Sequence, residues 1–206
     1  MKTLTKYLDE KLVIFPSQVD EKLVINKDYK DLYTCEPKTF EELRKIIEDR
    51  YKKFGPGTRQ KPIDFNDVDV SNIDSFYDNN INIGIFDSTK FEYIDISNWN
   101  VSNVEDISAM FSSCEQLKSV GDISKWNVSK VEDMQGMLSS CKQLKSIGDL
   151  SNWNVSKVEN MSYMFYECRQ LKSVGDLSNW NVSNVRFIYY MFAKSGITNI
   201  PKWYKR

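Results

Sequence analysis

From about residue 95 the chain alternates apolar and polar positions in a fixed order. "LKSVGDIS" at Leu117–Ser124 intersperses apolar Leu117, Val120 and Ile123 with polar residues and is expected to form a short strand. "WNVSKV" follows, with Asn and Ser at turn positions and Trp126, Val128 and Val131 pointing inward. Met161, Met164 and Phe165 then fall at i, i+3 and i+4, the spacing of one helical turn. The order recurs with a period of 27: Trp99, Trp126, Trp153 and Trp180 are one step apart, as are Cys114, Cys141 and Cys168. No single unit buries its apolar face, but stacked units do, with successive strands about 4.8 Å apart. The expected fold class is an α+β repeat solenoid, a leucine-rich-repeat-like array of 27-residue coils. Leu171, Val174, Leu177, Trp180, Val182 and Val185 are expected core residues in its later units.

Upstream, "TFEELRKIIEDRYKKF" at residues 39–54 predicts an amphipathic helix. Thr39 and Glu42 form a capping box, and Leu43, Ile46, Ile47, Tyr51 and Phe54 share one face. Glu41 and Glu42 suit the start of the helix dipole, Lys52 and Lys53 suit its end, and Gly55-Pro56 stops it. A lone helix before a repeat array is expected to cap its first apolar end. The expected organisation is therefore a leader over residues 1–36, the capping helix and a linker over 37–62, and the array over 63–206. Within the array an irregular first unit (63–94) precedes regular units at 95–121, 122–148 and 149–175, and a terminal unit (176–206). The first unit carries Val68 in place of tryptophan and the extra residues "DSFYDNNINIG", which predict a bulge. The leader repeats "DEKLVI" at 9–14 and 20–25, so Leu12, Ile14, Leu23 and Ile25 are candidate anchors. It either folds back on the body or serves as a docking tag.

The unit "MFYECRQLKSVGDLSNWNVSNV" resembles the BspA-type leucine-rich repeats of bacterial surface proteins and Mycoplasma-type lipoproteins. That resemblance covers roughly residues 39–200 and implies a right-handed solenoid that binds proteins or surfaces. The leader is also similar to short N-terminal tags on proteins of gut bacteriophages. The alternative it implies is a structural or cargo component of a virion, docked through the leader.

Composition narrows the chemistry. A net charge of −1 creates no field for nucleic acid, and no apolar run is long enough for a membrane span. The first residues lack the small-residue cleavage site of a secretory signal. A cytoplasmic or virion-associated location is therefore expected over the cell surface, with the cysteines as free thiols. Equivalent cysteines one unit apart would lie about 5 Å apart. Alternate ones are then too far apart for one zinc, whose sulfur ligands sit at about 2.3 Å. Adjacent ones would exceed the roughly 3.8 Å between the Cβ atoms of a disulfide. "NVS" at Asn100, Asn127, Asn154 and Asn181 matches a glycosylation sequon, but reads as a turn in which Asn bonds nearby backbone. The tryptophan column reads as stacked core rather than a carbohydrate strip.

The chain contains no histidine and no phosphate-cradling glycine loop, and repetition argues against a single catalytic centre. No enzyme activity, cofactor or metal is expected. The candidate binding columns are Lys118, Lys145 and Lys172 with Gln116, Gln143 and Gln170, displayed toward a protein partner. Acidic columns run elsewhere: Glu105, Glu132 and Glu159, and Asp95, Asp122, Asp149 and Asp176.

Overall fold

In the computed structural model the chain divides into Met1–Leu32 and Tyr33–Arg206, and the structure describes residues 35–205. The leader anchors Leu12, Ile14, Leu23 and Ile25 lie outside the described residues.

Helix α1 spans Phe40–Phe54. Thr39 caps it, its Oγ1 accepting the Glu42 N–H at 3.2 Å. The return bond of the box slips by one residue: Glu42 Oε2 accepts from the Lys38 N–H at 2.7 Å. Gly55, at φ 72°, ends the helix and donates to the Tyr51 carbonyl. Leu43 and Ile47 are fully buried, and Tyr51 packs edge-on against Phe91. Phe54, expected on the same face, is instead exposed one turn past that contact, with Lys53 Nζ over its ring.

The first unit is held to the second by strands β1 (Ile63–Asp64) and β4 (Ile94–Asp95), which pair in parallel. The extra residues between them form a small antiparallel pair, β2 (Tyr77–Asp78) with β3 (Ile83–Gly84). Gly84 is required there, because a Cβ would lie 2.1 Å from the Ala109 carbonyl oxygen.

From residue 93 onward the units are joined by parallel bridges along two sides. One side runs Tyr93, Ser119, Ser146 and the other Asp106, Asp133, Asn160, Phe187. The first side, expected to be the strand, holds single bridges, as the second does. The longer ladder lies where a helical turn was expected. Met161, Tyr163, Phe165 and Glu167 donate alternately to the carbonyls of Phe187, Tyr189, Met191 and Ala193 in the next unit, at 2.8–3.0 Å. The intervening N–H groups close tight turns, such as Tyr166 to the Tyr163 carbonyl. The donors therefore leave the unit instead of completing an α-helix. On this side the backbone turns by visiting the left-handed region twice per unit, at Ala109, Gly136, Tyr163 and Tyr190, and at Ser113, Ser140, Glu167 and Lys194; a third visit, at Gly121, Gly148 and Gly175, turns the chain elsewhere in the unit.

The core is columnar. Each repeat tryptophan is 4% exposed, and its Nε1 donates to a carbonyl of the preceding unit, as Trp153 does to Ile123 at 3.2 Å. Trp126 and Trp153 stack 6.5 Å apart and 2° from parallel. The thiols of Cys114, Cys141 and Cys168 likewise donate to Phe86, Phe111 and Leu138 carbonyls. Burial pushes Cys114 up to about 11 and Cys168 up to about 12, and raises Cys141 well above the usual thiol value. The sequon asparagines are turn elements: Asn154 Oδ1 accepts the Ser156 N–H at 3.2 Å, and the others match. The expected core residues Leu171, Val174, Leu177 and Trp180 are buried. Val182 and Val185 are only half-buried, because no further unit covers them among the described residues.

Candidate protein interface

The lysine column proves uneven. Lys118 Nζ lies 2.5 Å from Glu92 Oε2 and over the Tyr93 ring, so its charge is matched within the fold. That hydrogen bond to Glu92 raises the lysine above its usual value. Glu92 occupies the place of this column in the first unit, next to the Tyr93–Ser119 bridge. Lys145 is exposed without an ion partner among the described residues, and Lys172 Nζ reaches only the Arg169 carbonyl at 3.4 Å. Gln116, Gln143 and Gln170 are exposed beside them. The acidic column Glu105, Glu132, Glu159 ends in a basic residue: Arg186 pairs with Glu159 at 3.2 Å.

A different surface stands out on the side of the longer ladder. Its columns change character along the chain. Asp106, Asp133 and Asn160 give way to Phe187; Ser108, Gln135 and Ser162 to Tyr189. Ala109 and Gly136 give way to Tyr163 and Tyr190. Six large hydrophobic side chains are exposed among the described residues, and four belong to this patch: Tyr163 at 37%, Phe187 at 49%, Tyr190 at 59% and Tyr189 at 61%. Where earlier units place polar or small residues, burial cannot be the reason for an aromatic ring.

The rings touch in two groups. Tyr163 stacks on Tyr190 at 5.4 Å and meets Tyr166 edge-on at 5.6 Å, while Phe187 and Tyr189 lie 6.3 Å apart. A small charged network fixes one border. Lys194 Nζ donates to Tyr166 Oη at 2.8 Å and Glu167 Oε1 at 2.9 Å, and Arg169 adds a second cation to Glu167. Those bonds raise Lys194, through Tyr166 first, and hold Glu167 below its usual value. On the polar stretch of the same side, burial raises Asp133, and Asp106 adds to the effect.

Among the described residues no three carboxylate, thiol or imidazole groups cluster as metal ligands, and no helix is long and apolar enough to cross a membrane. The sequence reading missed the aromatic patch because it followed the regular units. The available signal was the loss of the polar or small consensus at three columns in the last two units.

No curated protein and no solved structure matches the chain. One family does match, over residues 80–203, which is more than half of the 206 residues and spans all the regular units and the patch. The chain belongs to the family described as Mycoplasma protein of unknown function, DUF285.

Proposed function

We propose that the chain is a non-enzymatic, BspA-like leucine-rich-repeat solenoid that binds another protein through Tyr163, Phe187, Tyr189 and Tyr190. The observation that carries this reading is the exposure of these four rings at columns that are polar or small in earlier units. Tyrosine and phenylalanine supply large contact area at low conformational cost, and they concentrate at binding hot spots. Parallel bridges at a 27-residue step, a capping helix and columnar tryptophans support the solenoid.

The test uses the immobilised full chain to capture proteins from lysate of the cells that encode it. Tyr189→Ser with Tyr190→Ala restores the residues found at Ser108 and Ala109, so folding is retained. Captured protein should fall at least about thirtyfold, the scale of losing a hot spot. A captured set unchanged by these substitutions but removed by Lys145→Glu with Lys172→Glu would move the site to the lysine column.

A further inference from the structure

The last unit presents one unfilled half of the ladder that joins all the others. Between Asn160 and Phe187 the pattern is complete: the Phe187 N–H donates to the Glu159 carbonyl at 3.1 Å, and the Met161 N–H donates to the Phe187 carbonyl at 2.8 Å. One unit further the corresponding groups are the Arg186 carbonyl and the Ile188 N–H. Neither has a backbone partner among the described residues. The apolar side is open too. Val182, Val185 and Ile188 are half-buried, whereas their counterparts Val155, Val158 and Met161 are 0–1% exposed.

The opposite end of the array is covered in part by the residues before the first unit. Arg44 of α1 donates to the Gly84 and Ile85 carbonyls at 2.9 and 3.2 Å, and Cys35 bridges Val68.

Taking the aromatic patch as a binding surface, we propose that its partner is the same edge of a second copy, related by a two-fold axis at Phe187. An antiparallel pair centred on a non-hydrogen-bonded residue needs an acceptor one residue before it and a donor one residue after it, on each strand. The Arg186 carbonyl and the Ile188 N–H supply both. The Arg186 carbonyl accepts from the partner's Ile188, and the reverse bond is identical, which is what an isologous interface requires. Alternate residues share a face, so Phe187 and Tyr189 of both copies form one four-ring cluster across the axis. Edge pairing of this kind also covers the half-buried valines.

Sedimentation equilibrium of the full chain should show a reversible shift from 24.1 kDa to about twice that mass. Phe187→Asp restores the residue carried at Asp106 and Asp133, so it should fold normally yet weaken dimerisation at least about thirtyfold. Phe187→Cys should form an intermolecular disulfide on mild oxidation, because the Cα atoms of such a pair lie about 4.5 Å apart. Tyr189→Cys should not, being about 13 Å from its own copy along the strands. A chain that stays at 24.1 kDa, or a dimer indifferent to Phe187→Asp, overturns the proposal. If the chain is monomeric while Tyr189→Ser and Tyr190→Ala still abolish capture of another protein, self-pairing falls and the binding reading stands. If Phe187 drives a dimer while capture is unaffected by the tyrosines, self-pairing stands and binding to a different protein falls.

Discussion

Removing Asp122–Gly148 tests whether the sequence period is also the physical unit. The structure shows what would meet after the deletion. Ile107, Ala109, Phe111 and Ser113, which donate to carbonyls of residues 133, 135, 137 and 139, would face those of 160, 162, 164 and 166. Trp153 Nε1 would take the Ile96 carbonyl left by Trp126, and Cys168 the Phe111 carbonyl left by Cys141. Phe111 would meet Phe165 instead of Leu138, a contact that this column already tolerates at Phe86–Phe111 and Phe165–Phe192, 5.0 and 5.6 Å apart. Glu115 would exchange Lys142 for Arg169, keeping a cation opposite. The variant should therefore fold, losing only one unit's share of stability. At about 0.05–0.15 kcal/mol per residue, 27 residues contribute about 1.5–4 kcal/mol. The heat capacity of unfolding should fall by about 0.3–0.4 kcal/mol/K, since each residue contributes about 12–15 cal/mol/K. Scanning calorimetry and guanidinium melts followed by tryptophan fluorescence read both quantities. Removing only residues 122–135 should abolish the cooperative transition, because donors and tryptophans then meet the wrong side of the next unit. A full-unit deletion as damaging as the half-unit deletion would refute the reasoning.

The thiol column should respond to unfolding rather than to mild alkali. Before denaturation a thiol reagent at pH 8 should label at most the half-buried Cys35, and in guanidinium it should label all four cysteines. Because folded Cys114 and Cys168 hold their protons to about 11 and 12, unfolding releases protons above the ordinary thiol value of about 8.5. Stability should therefore be intact below pH 8.5 and fall as pH rises through the folded values; a melting temperature that is flat from pH 8 to 10.5 would contradict this. Trp153→Phe removes the bond to the Ile123 carbonyl and part of a buried ring, and should cost about 2 kcal/mol in a guanidinium melt. The exposed Tyr163→Phe should cost under about 0.5 kcal/mol in the same assay. Arg50 makes two bonds to Asp67, at 2.7 and 2.9 Å, donates to the Asp64 carbonyl and lies over Phe65, so Arg50→Ala should cost about 2–3 kcal/mol and loosen α1. An unchanged melt would show that Arg50 is dispensable and that Leu43, Ile47, Tyr51 and Arg44 suffice to hold the helix.

What the amino-acid order determined is whatever depends on near neighbours or on identity across the period. The limits of α1 follow from Thr39 and Gly55, the turns from Asn and Ser two positions apart, and the core columns from Trp and Cys returning every 27 residues. Equal spacing with equal residue type places equal side chains in equal surroundings, so burial could be inferred without seeing the contacts. The tertiary structure decided which of two competing partners each backbone group takes. Met161-Ser162-Tyr163-Met164-Phe165 carries helical spacing, yet every second N–H leaves for a carbonyl 26 residues away in the next unit. That acceptor exists only once the neighbouring unit is in place, so no local pattern reports it. The same holds for Lys118, neutralised by Glu92 from the preceding unit, and for Val182 and Val185, whose burial depends on a following unit. Phe187, Tyr189 and Tyr190 look like core residues by composition. They are surface because their columns face outward, and the direction of a column is set by how units stack, not by the residues within one of them.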